Sequence, residues 1–290
     1  MATVGPGFPG DVNLEVTGPL KPSLPAKASA RTDGIFARMP ANELTQAMTD
    51  EQRFLFDLNG FIVVRSALTA EEVARYRDGI YRLARQDLPA ERWTSDGEPL
   101  DQIRVQAINR DPMFLELVDH PVSLPLVQEI VGEPGILIDN DVELTPRNNK
   151  VQGWHRGIGT YGYALDAAGF HCTMVKCIWY LTDCGPGDGP TRIVPGSHKS
   201  LIEPPSYSEQ AGPPGTQEVI VEAGDLLVFS EACLHAGNLN QSGRVRANMY
   251  FNYGPSWVQP WEGYRPAAEL VERATGDRRQ LLGGGRIWEG

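Results

Sequence analysis

The sequence has few of the features that mark a membrane, secreted or nucleic-acid-binding protein. None of its apolar runs approaches the length of about 18 residues that a transmembrane helix needs. The first residues, MATVGPGFPGDVNLEV, lack the charged and apolar segments of a secretory signal. Acidic residues outnumber basic ones by 37 to 26, which gives a net charge of -11 without any basic stretch. We therefore expect neither nucleic acid nor a membrane as a partner.

Cysteine is also scarce. The chain has 4 cysteines, Cys172, Cys177, Cys184 and Cys233, and none of them forms a CxxC pair. This number and spacing exclude a disulfide framework and indicate reduced thiols packed in strands. A cytoplasmic location is the corresponding expectation.

Local patterns predict helices first and a β core afterwards. Residues 1–44 are rich in Gly and Pro and predict an irregular arm, whereas 45–290 are expected to form one domain. Two capping boxes, Thr49–Gln52 and Thr69–Glu72, predict helix starts, the second for a helix over about 70–86. Further helices are predicted within 112–132, with breaks at Pro121 and Pro125, and over 265–282, and a short strand over 61–64.

From about residue 135 the chain consists of short β-prone runs separated by turn residues. ILIDNDVEL, TMVKCIWYL, DLLVFS and RANMYFNY are examples. Such spacing favours a sandwich or barrel. The predicted fold class is mainly β, a double-stranded β-helix (jelly roll, cupin-like) with its core at about 135–255 and with flanking N-terminal and C-terminal helices.

Two of the five histidines have surroundings that suggest a metal site. His155 lies in VQGWHRG, and His235 follows the apolar run of GDLLVFSEACLHAGN. Neutral imidazoles suit Fe(II), and non-haem oxygenases need a site with open positions. Without further context, a packed, hydrogen-bonded histidine is the better explanation for either of them.

Several sequence motifs, in the same order along the chain, resemble those of the phytanoyl-CoA dioxygenase family of Fe(II)- and 2-oxoglutarate-dependent oxygenases. The resemblance covers about residues 45–255. It starts with MTDEQRFLFDLNGFIVVRSALTAEEVARYRDGI, continues with RIVPGSHKS, and ends with GDLLVF, His235-Ala-Gly-Asn and Arg246. Each motif alone is weak evidence for the family, and the assignment rests on their occurrence together in this order.

The resemblance implies an enzyme that uses Fe(II), 2-oxoglutarate and O2. It implies His155 and His235 as the iron ligands and Arg246 as the partner of the distal carboxylate of 2-oxoglutarate. A guanidinium can hold a carboxylate through two parallel hydrogen bonds, which makes that role physically reasonable. Gln152 occupies a position that contacts the co-substrate in some relatives. His198 of the PGSH word is expected to be a hydrogen-bonding turn residue.

Position 157 departs from the family pattern. The family has His-x-Asp or His-x-Glu, whereas this chain has His155-Arg156-Gly157, and glycine cannot ligate. The iron- and 2-oxoglutarate-dependent halogenases have Ala or Gly there and bind chloride in the vacated position. Two histidines, bidentate 2-oxoglutarate and O2 leave one position of an octahedral iron for such an anion.

Three explanations of Gly157 compete. The favoured one is radical halogenation of an unactivated C–H bond of a small molecule, with chloride bound at the iron. The second is a hydroxylase or another oxidative tailoring enzyme, native or with an engineered Asp-to-Gly change. In that case water or another carboxylate fills the gap, and Asp166 is the nearest acid in the following segment. The third is a relative that binds a small molecule without catalysis.

Residues 156–171 form a long Gly- and Tyr-rich connection. Loops at the mouth of a jelly roll often shape access of the substrate. Arg156, Tyr161 and Tyr163 are therefore candidate substrate contacts, and a surface loop packed by its own aromatic residues explains them nearly as well. Trp179 is a further candidate for lining the pocket, although ordinary core packing is the favoured explanation for it. The sequence leaves open the identity of the substrate, whether it is free or tethered to a carrier, and the oligomeric state.

Overall fold

β-Strands alternate with turns through the C-terminal two thirds of the chain, as the short β-prone runs predict. The computed structural model describes residues 48–131, 135–148, 153–167 and 169–284, all of which belong to one unit, Asn42–Gly290. The predicted arm, residues 1–44, lies outside the described residues. The strands are Phe61–Val64 (β1), Ile103–Gln106 (β2), Gly135–Thr145 (β3), Tyr163–Asp166 (β4), Gly169–Cys172 (β5), Val175–Tyr180 (β6), Thr191–Ile193 (β7), Gln217–Val219 (β8), Leu226–Ser230 (β9), His235–Gly237 (β10) and Arg246–Pro255 (β11).

The strands form a large sheet, a small sheet and a hairpin. The large sheet has the order β1-β9-β6-β11-β3-β2, and the small one has the order β10-β7-β8. All neighbours are antiparallel, and β4 and β5 form the separate hairpin. The predicted mainly β jelly roll with flanking helices is confirmed. The large sheet also includes β1 and β2, which lie outside the predicted core range.

The helices flank the sheets on the N-terminal and C-terminal sides of the β core. Both predicted capping boxes are present, with Thr49 and Thr69 each accepting a backbone hydrogen bond at the helix start. Pro125 does not end its helix, because it lies in the first turn, where the backbone N–H has no partner within the helix. The predicted helix over 265–282 is two short helices in the structure. The α-helices are Asp50–Asn59 (α1), Ala70–Asp87 (α2), Ser123–Val131 (α3), Ala268–Arg273 (α4) and Gly276–Leu281 (α5).

Side chains alternate between the two faces of the large sheet. On β6, Cys177 and Trp179 belong to the main hydrophobic core, which includes residues of α2 and α3, whereas Ile178 and Tyr180 belong to a second, smaller cluster. That second cluster also contains Ile193 of the small sheet, so it lies between the two sheets. The interior between the sheets is where the polar residues of β3, β6 and β11 meet, and it contains the candidate site.

No helix among the described residues combines the length and the apolar character needed to cross a membrane. The four cysteines are all free and buried, as their spacing predicts.

Candidate active site

His155 and His235 face each other across a short antiparallel bridge. Each backbone N–H donates to the carbonyl of the other residue, at 3.0 Å in both directions. The two imidazole rings lie with their centroids 4.2 Å apart. The local pairing of β10 with the segment before residue 157 therefore brings together two histidines that are 80 residues apart in sequence.

Both rings present the same nitrogen to the interior. Nδ1 of His155 lies 2.8 Å from the Gly153 carbonyl, and Nδ1 of His235 lies 3.0 Å from the Cys233 carbonyl. Because a carbonyl oxygen can only accept, each Nδ1 carries the proton and each Nε2 keeps its lone pair. A backbone carbonyl that fixes the tautomer in this way is a common support of metal-binding histidines. Burial lowers the pKa of His235 to about 4, so its imidazole is neutral near pH 7, as ligation requires.

The space beside Gly157 is filled by a carboxylate from another part of the chain. A Cβ at residue 157 would lie 2.1 Å from Oε2 of Glu231 and 2.7 Å from its Cδ. The backbone explains this approach, because the N–H of Gly157 donates to the Glu231 carbonyl at 2.9 Å. Oε2 of Glu231 also lies 3.8 Å from Nε2 of His235. The acid nearest to the ligand position that residue 157 lacks is thus Glu231, in the turn between β9 and β10.

Glu231 belongs to a buried polar network on the interior face. Its Oε1 accepts from Nζ of Lys176, and Nδ2 of Asn252 lies 3.3 Å away and bridges to Asp139 at 3.1 Å. Burial by itself raises the pKa of the Glu231 carboxyl, but the charge of Lys176, followed by that of His235, outweighs burial and lowers this pKa to about 2. Glu231 is therefore an ionised carboxylate within a site from which water is largely excluded, since only 1% of the residue is exposed.

Arg246 and the two histidines line one cavity. The cavity has a volume of about 90 Å³ and is lined by both histidines, Lys176 and Arg246. The guanidinium donates to the Gly189 carbonyl, to Thr145 Oγ1 at 3.2 Å and to Glu143 Oε1 at 3.3 Å. A co-substrate carboxylate that binds Arg246 therefore competes with Glu143, whose carboxylate lines the same cavity.

The predicted substrate contacts do not line this cavity. Arg156 donates to the carbonyls of Ser197 and Ala232, and Tyr163 donates to Asp57 at 2.9 Å. Tyr161 is 85% exposed, and Trp179 is fully buried in the main core, edge-on to His120. Their roles in substrate binding stay predictions. Gln152, the predicted co-substrate contact, lies outside the described residues.

Asp166 does not supply the missing carboxylate in this arrangement. It lies at the exposed end of the β4–β5 hairpin, with Oδ1 at 3.1 Å from Nε2 of His171. His198 is buried in a turn, where its Nε2 lies 3.1 Å from the Asp57 carbonyl, in agreement with its predicted hydrogen-bonding role.

Sequence reasoning missed Glu231, Lys176 and Glu143. The apolar runs around these residues could have indicated that they are buried, but not which side chains they meet. An acid or a lysine in a run that is otherwise apolar, as in DLLVFSEACLH and TMVKCIWYL, requires a buried partner.

The residues present fit a metal ion. Two imidazoles whose Nδ1 atoms are held by backbone carbonyls line a polar cavity, and imidazole nitrogens are among the donors that non-haem iron prefers. Among the residues that the structure describes, no group of three or more His, Cys, Asp and Glu side chains is already arranged to hold a metal. The two histidines would supply two of the ligands of such an ion.

Comparison with known proteins places this centre in a family. The phytanoyl-CoA dioxygenase (PhyH) profile matches residues 56–248. The dioxygenase cdmD of Talaromyces verruculosus is 28% identical over 65% of this chain, a match that spans only 62% of the fungal protein. An ectoine dioxygenase of Nocardia farcinica is 26% identical over 76% of this chain and 84% of its own length.

Solved structures agree with the sequence comparison. HygX of Streptomyces hygroscopicus, solved with nickel, 2-oxoglutarate and hygromycin B, is 25% identical, with a TM-score of 0.62 over 79% of this chain and 96% of HygX. The epimerase SnoN of nogalamycin biosynthesis is 21% identical with a TM-score of 0.56 over 79% of this chain and 96% of SnoN, and this likeness supports the fold alone. From the family profile, which spans both sheets, the chain belongs to the phytanoyl-CoA dioxygenase family of Fe(II)- and 2-oxoglutarate-dependent oxygenases and is an enzyme of that class.

Proposed function

We propose that this enzyme uses Fe(II), 2-oxoglutarate and O2 to oxidise an unactivated C–H bond of a small organic molecule, with an oxygenated or otherwise oxidised product. The observation that carries the proposal is that the adjacent rings of His155 and His235 line one polar cavity together with Arg246. The relatives support small-molecule chemistry, since ectoine dioxygenases and a hygromycin B complex are among them.

Each residue of the site has a separate task. The Nε2 atoms of His155 and His235 would hold the iron, and the Gly153 and Cys233 carbonyls keep both rings in the ligating tautomer. Arg246 would bind one carboxylate of 2-oxoglutarate through charge-assisted hydrogen bonds, which fixes its orientation toward the histidines. The iron, when bound, would supply the one-electron and O2 chemistry.

The metal assignment is tested by replacing the histidines. We expect His155→Ala and His235→Ala to abolish Fe(II)-dependent formation of succinate from 2-oxoglutarate, because two imidazoles are the strongest ligands of the centre. His171→Ala is the matched control, since His171 lies in the exposed hairpin away from the cavity. Near-native succinate formation by either cavity variant would contradict the proposed function.

Halogenation is a second candidate, favoured by one observation: residue 157 carries no side chain. Against it stands Glu231, because a chloride beside Gly157 would meet a carboxylate that is already there. Lys176, the cation nearest to that carboxylate, is already paired with it. Oxygenation is therefore the better-supported outcome.

Bromide, which scatters anomalously, distinguishes the two outcomes without knowledge of the substrate. We expect crystals loaded with metal and 2-oxoglutarate and soaked in bromide to show no bromide within bonding distance of the metal. A bromide peak at the metal beside Gly157 would instead support halogenation.

A further inference from the structure

We propose that Glu231 is the third protein ligand of the metal and takes the place of the carboxylate that residue 157 lacks. This inference rests on the proposed function, because it assigns a further ligand to the same centre. The carboxylate would reach the metal from the turn four residues before His235, rather than from the second position after His155.

The position of Glu231 is the first support. The three atoms nearest to a Cβ at residue 157 all belong to the Glu231 side chain, at 2.1, 2.7 and 3.0 Å. A side chain at residue 157 and the present Glu231 side chain cannot occupy the site together. Gly157 therefore has a physical reason, since it makes room for a carboxylate of different origin.

The distance to the distal histidine is the second support. Two ligand atoms that bind one metal at about 2.0–2.2 Å lie about 3 Å apart when they occupy neighbouring positions. Oε2 of Glu231 and Nε2 of His235 are 3.8 Å apart. A movement of less than about 1 Å, which rotation of a carboxylate provides, brings the two atoms to ligating separation.

The surroundings of Glu231 are the third support. Its Oε1 is held by Lys176 and approached by Asn252, whereas its Oε2 faces Gly157 and His235. Metal-binding carboxylates are commonly supported in this way, with one oxygen hydrogen-bonded and the other directed at the metal. A buried carboxylate so close to two histidines would also balance the charge of Fe(II).

The test measures affinity for Co(II), a stand-in that does not react with O2 in the assay, by titration of its visible absorption. We expect Glu231→Gln and Glu231→Gly to weaken Co(II) binding by more than about 100-fold, beyond the 10–100-fold typical for residues that only support a ligand. Asp139→Asn is the matched control. It removes a buried carboxylate from the same network, but one that is hydrogen-bonded to Asn252 and lies near Lys176 rather than facing Gly157.

A transplanted carboxylate makes the test specific. Gly157→Asp alone should bind Co(II) poorly, because the new side chain collides with Glu231. Combining Gly157→Asp with Glu231→Gly removes the obstacle and restores a carboxylate at the ordinary position. We expect the double variant to bind Co(II) at least tenfold more tightly than Glu231→Gly alone. Thermal melting of each variant separates a loss of ligand from a loss of fold.

The outcomes distinguish this inference from the proposed function. If Glu231→Gln and Glu231→Gly bind Co(II) within about threefold of the native protein while His235→Ala does not, Glu231 is not a ligand and the proposed function stands. An equal loss of affinity in Asp139→Asn, or no gain in the double variant, would also overturn the inference. If His155→Ala and His235→Ala keep native affinity, the proposed function itself fails.

Discussion

At the scale of single residues, the site combines side chains that a sequence pattern can identify with side chains that only three-dimensional contacts reveal. His155, His235 and Arg246 lie in recognisable sequence motifs, and the structure brings all three to one cavity. Glu231 lies outside these motifs. Its relevance follows from a backbone hydrogen bond between segments 74 residues apart, which no local pattern encodes. The same limit applies to Glu143, which reaches Arg246 across the pairing of β3 with β11.

Arg246 provides a prediction at this scale. Loss of a charge-assisted contact that leaves a carboxylate unpaired costs about 2–4 kcal/mol. We therefore expect Arg246→Ala to raise the KM for 2-oxoglutarate by roughly 30- to 1,000-fold, measured as succinate formation. Arg244→Ala is the control, since the Arg244 side chain is 64% exposed and pairs with Asp188 outside the cavity. An unchanged KM in Arg246→Ala would exclude Arg246 from co-substrate binding.

At the scale of elements, the capping boxes and the strand period are strong local signals, and the corresponding elements are confirmed. Three details differ from the prediction: the extent of the large sheet, the C-terminal helix, and the break at Pro125, which lies within the first turn of α3. β1 and β2 are short and distant in sequence, and they join the sheet only through edge pairing with β9 and β3. The predicted C-terminal helix is interrupted between Arg273 and Gly276, where the backbone adopts a positive φ of 55° at Gly276. Local propensity predicts neither pairing between strands that are distant in sequence nor an interruption imposed by tertiary packing.

The turn between α1 and β1 also has a consequence for the site. Gly60 has a φ of 82°, and a Cβ there would lie 2.4 Å from Cys233 Sγ and 2.5 Å from His198 Nδ1. Cys233 is the residue whose carbonyl orients the His235 ring. Correct packing of this turn therefore supports the proposed metal site from outside the β core.

Two glycine substitutions separate backbone strain from packing. Gly263 has a φ of 85°, close to that of Gly60, but nothing lies within 4 Å of a Cβ there. Both Gly60→Ala and Gly263→Ala should lose about 1–2 kcal/mol of unfolding free energy from the left-handed backbone. Gly60→Ala should lose about 1–3 kcal/mol more from overpacking, with weaker Co(II) binding. Equal losses in urea denaturation would show that the packing of Gly60 contributes nothing.

At the scale of the whole molecule, the candidate site lies where the two sheets face each other, and the main apolar core lies on the opposite side of the large sheet. The alternation along β6 and β11 produces this division, with apolar residues directed at the helices and polar ones at the cavity. The sequence pattern predicts the division in principle, since strand faces alternate. It does not predict which polar residues meet, because β3 and β11 are far apart in sequence and no local signal sets their register.

Buried histidines should also make the metal-free protein sensitive to acid. Burial, followed by the charge of Lys199, lowers the pKa of His198 to about 4, whereas an unfolded histidine titrates near about 6.5. The unfolded state therefore takes up a proton as the pH falls below about 6.5, and the folded state does so only near pH 4. The contribution of His198 to stability is thus present above its unfolded pKa and is lost on acidification through this window.

The size of this effect can be measured by substitution. Between pH 7 and pH 5, the proton uptake at His198 should lower the free energy of unfolding by about 2 kcal/mol. We expect His198→Gln, measured by urea denaturation with a chelator present, to lose about 2 kcal/mol less than the native protein over that range. His171→Gln, in the exposed hairpin, is the matched control for the loss of a histidine. If His198→Gln and the native protein lose stability in parallel from pH 7 to pH 5, His198 is not held neutral by its burial.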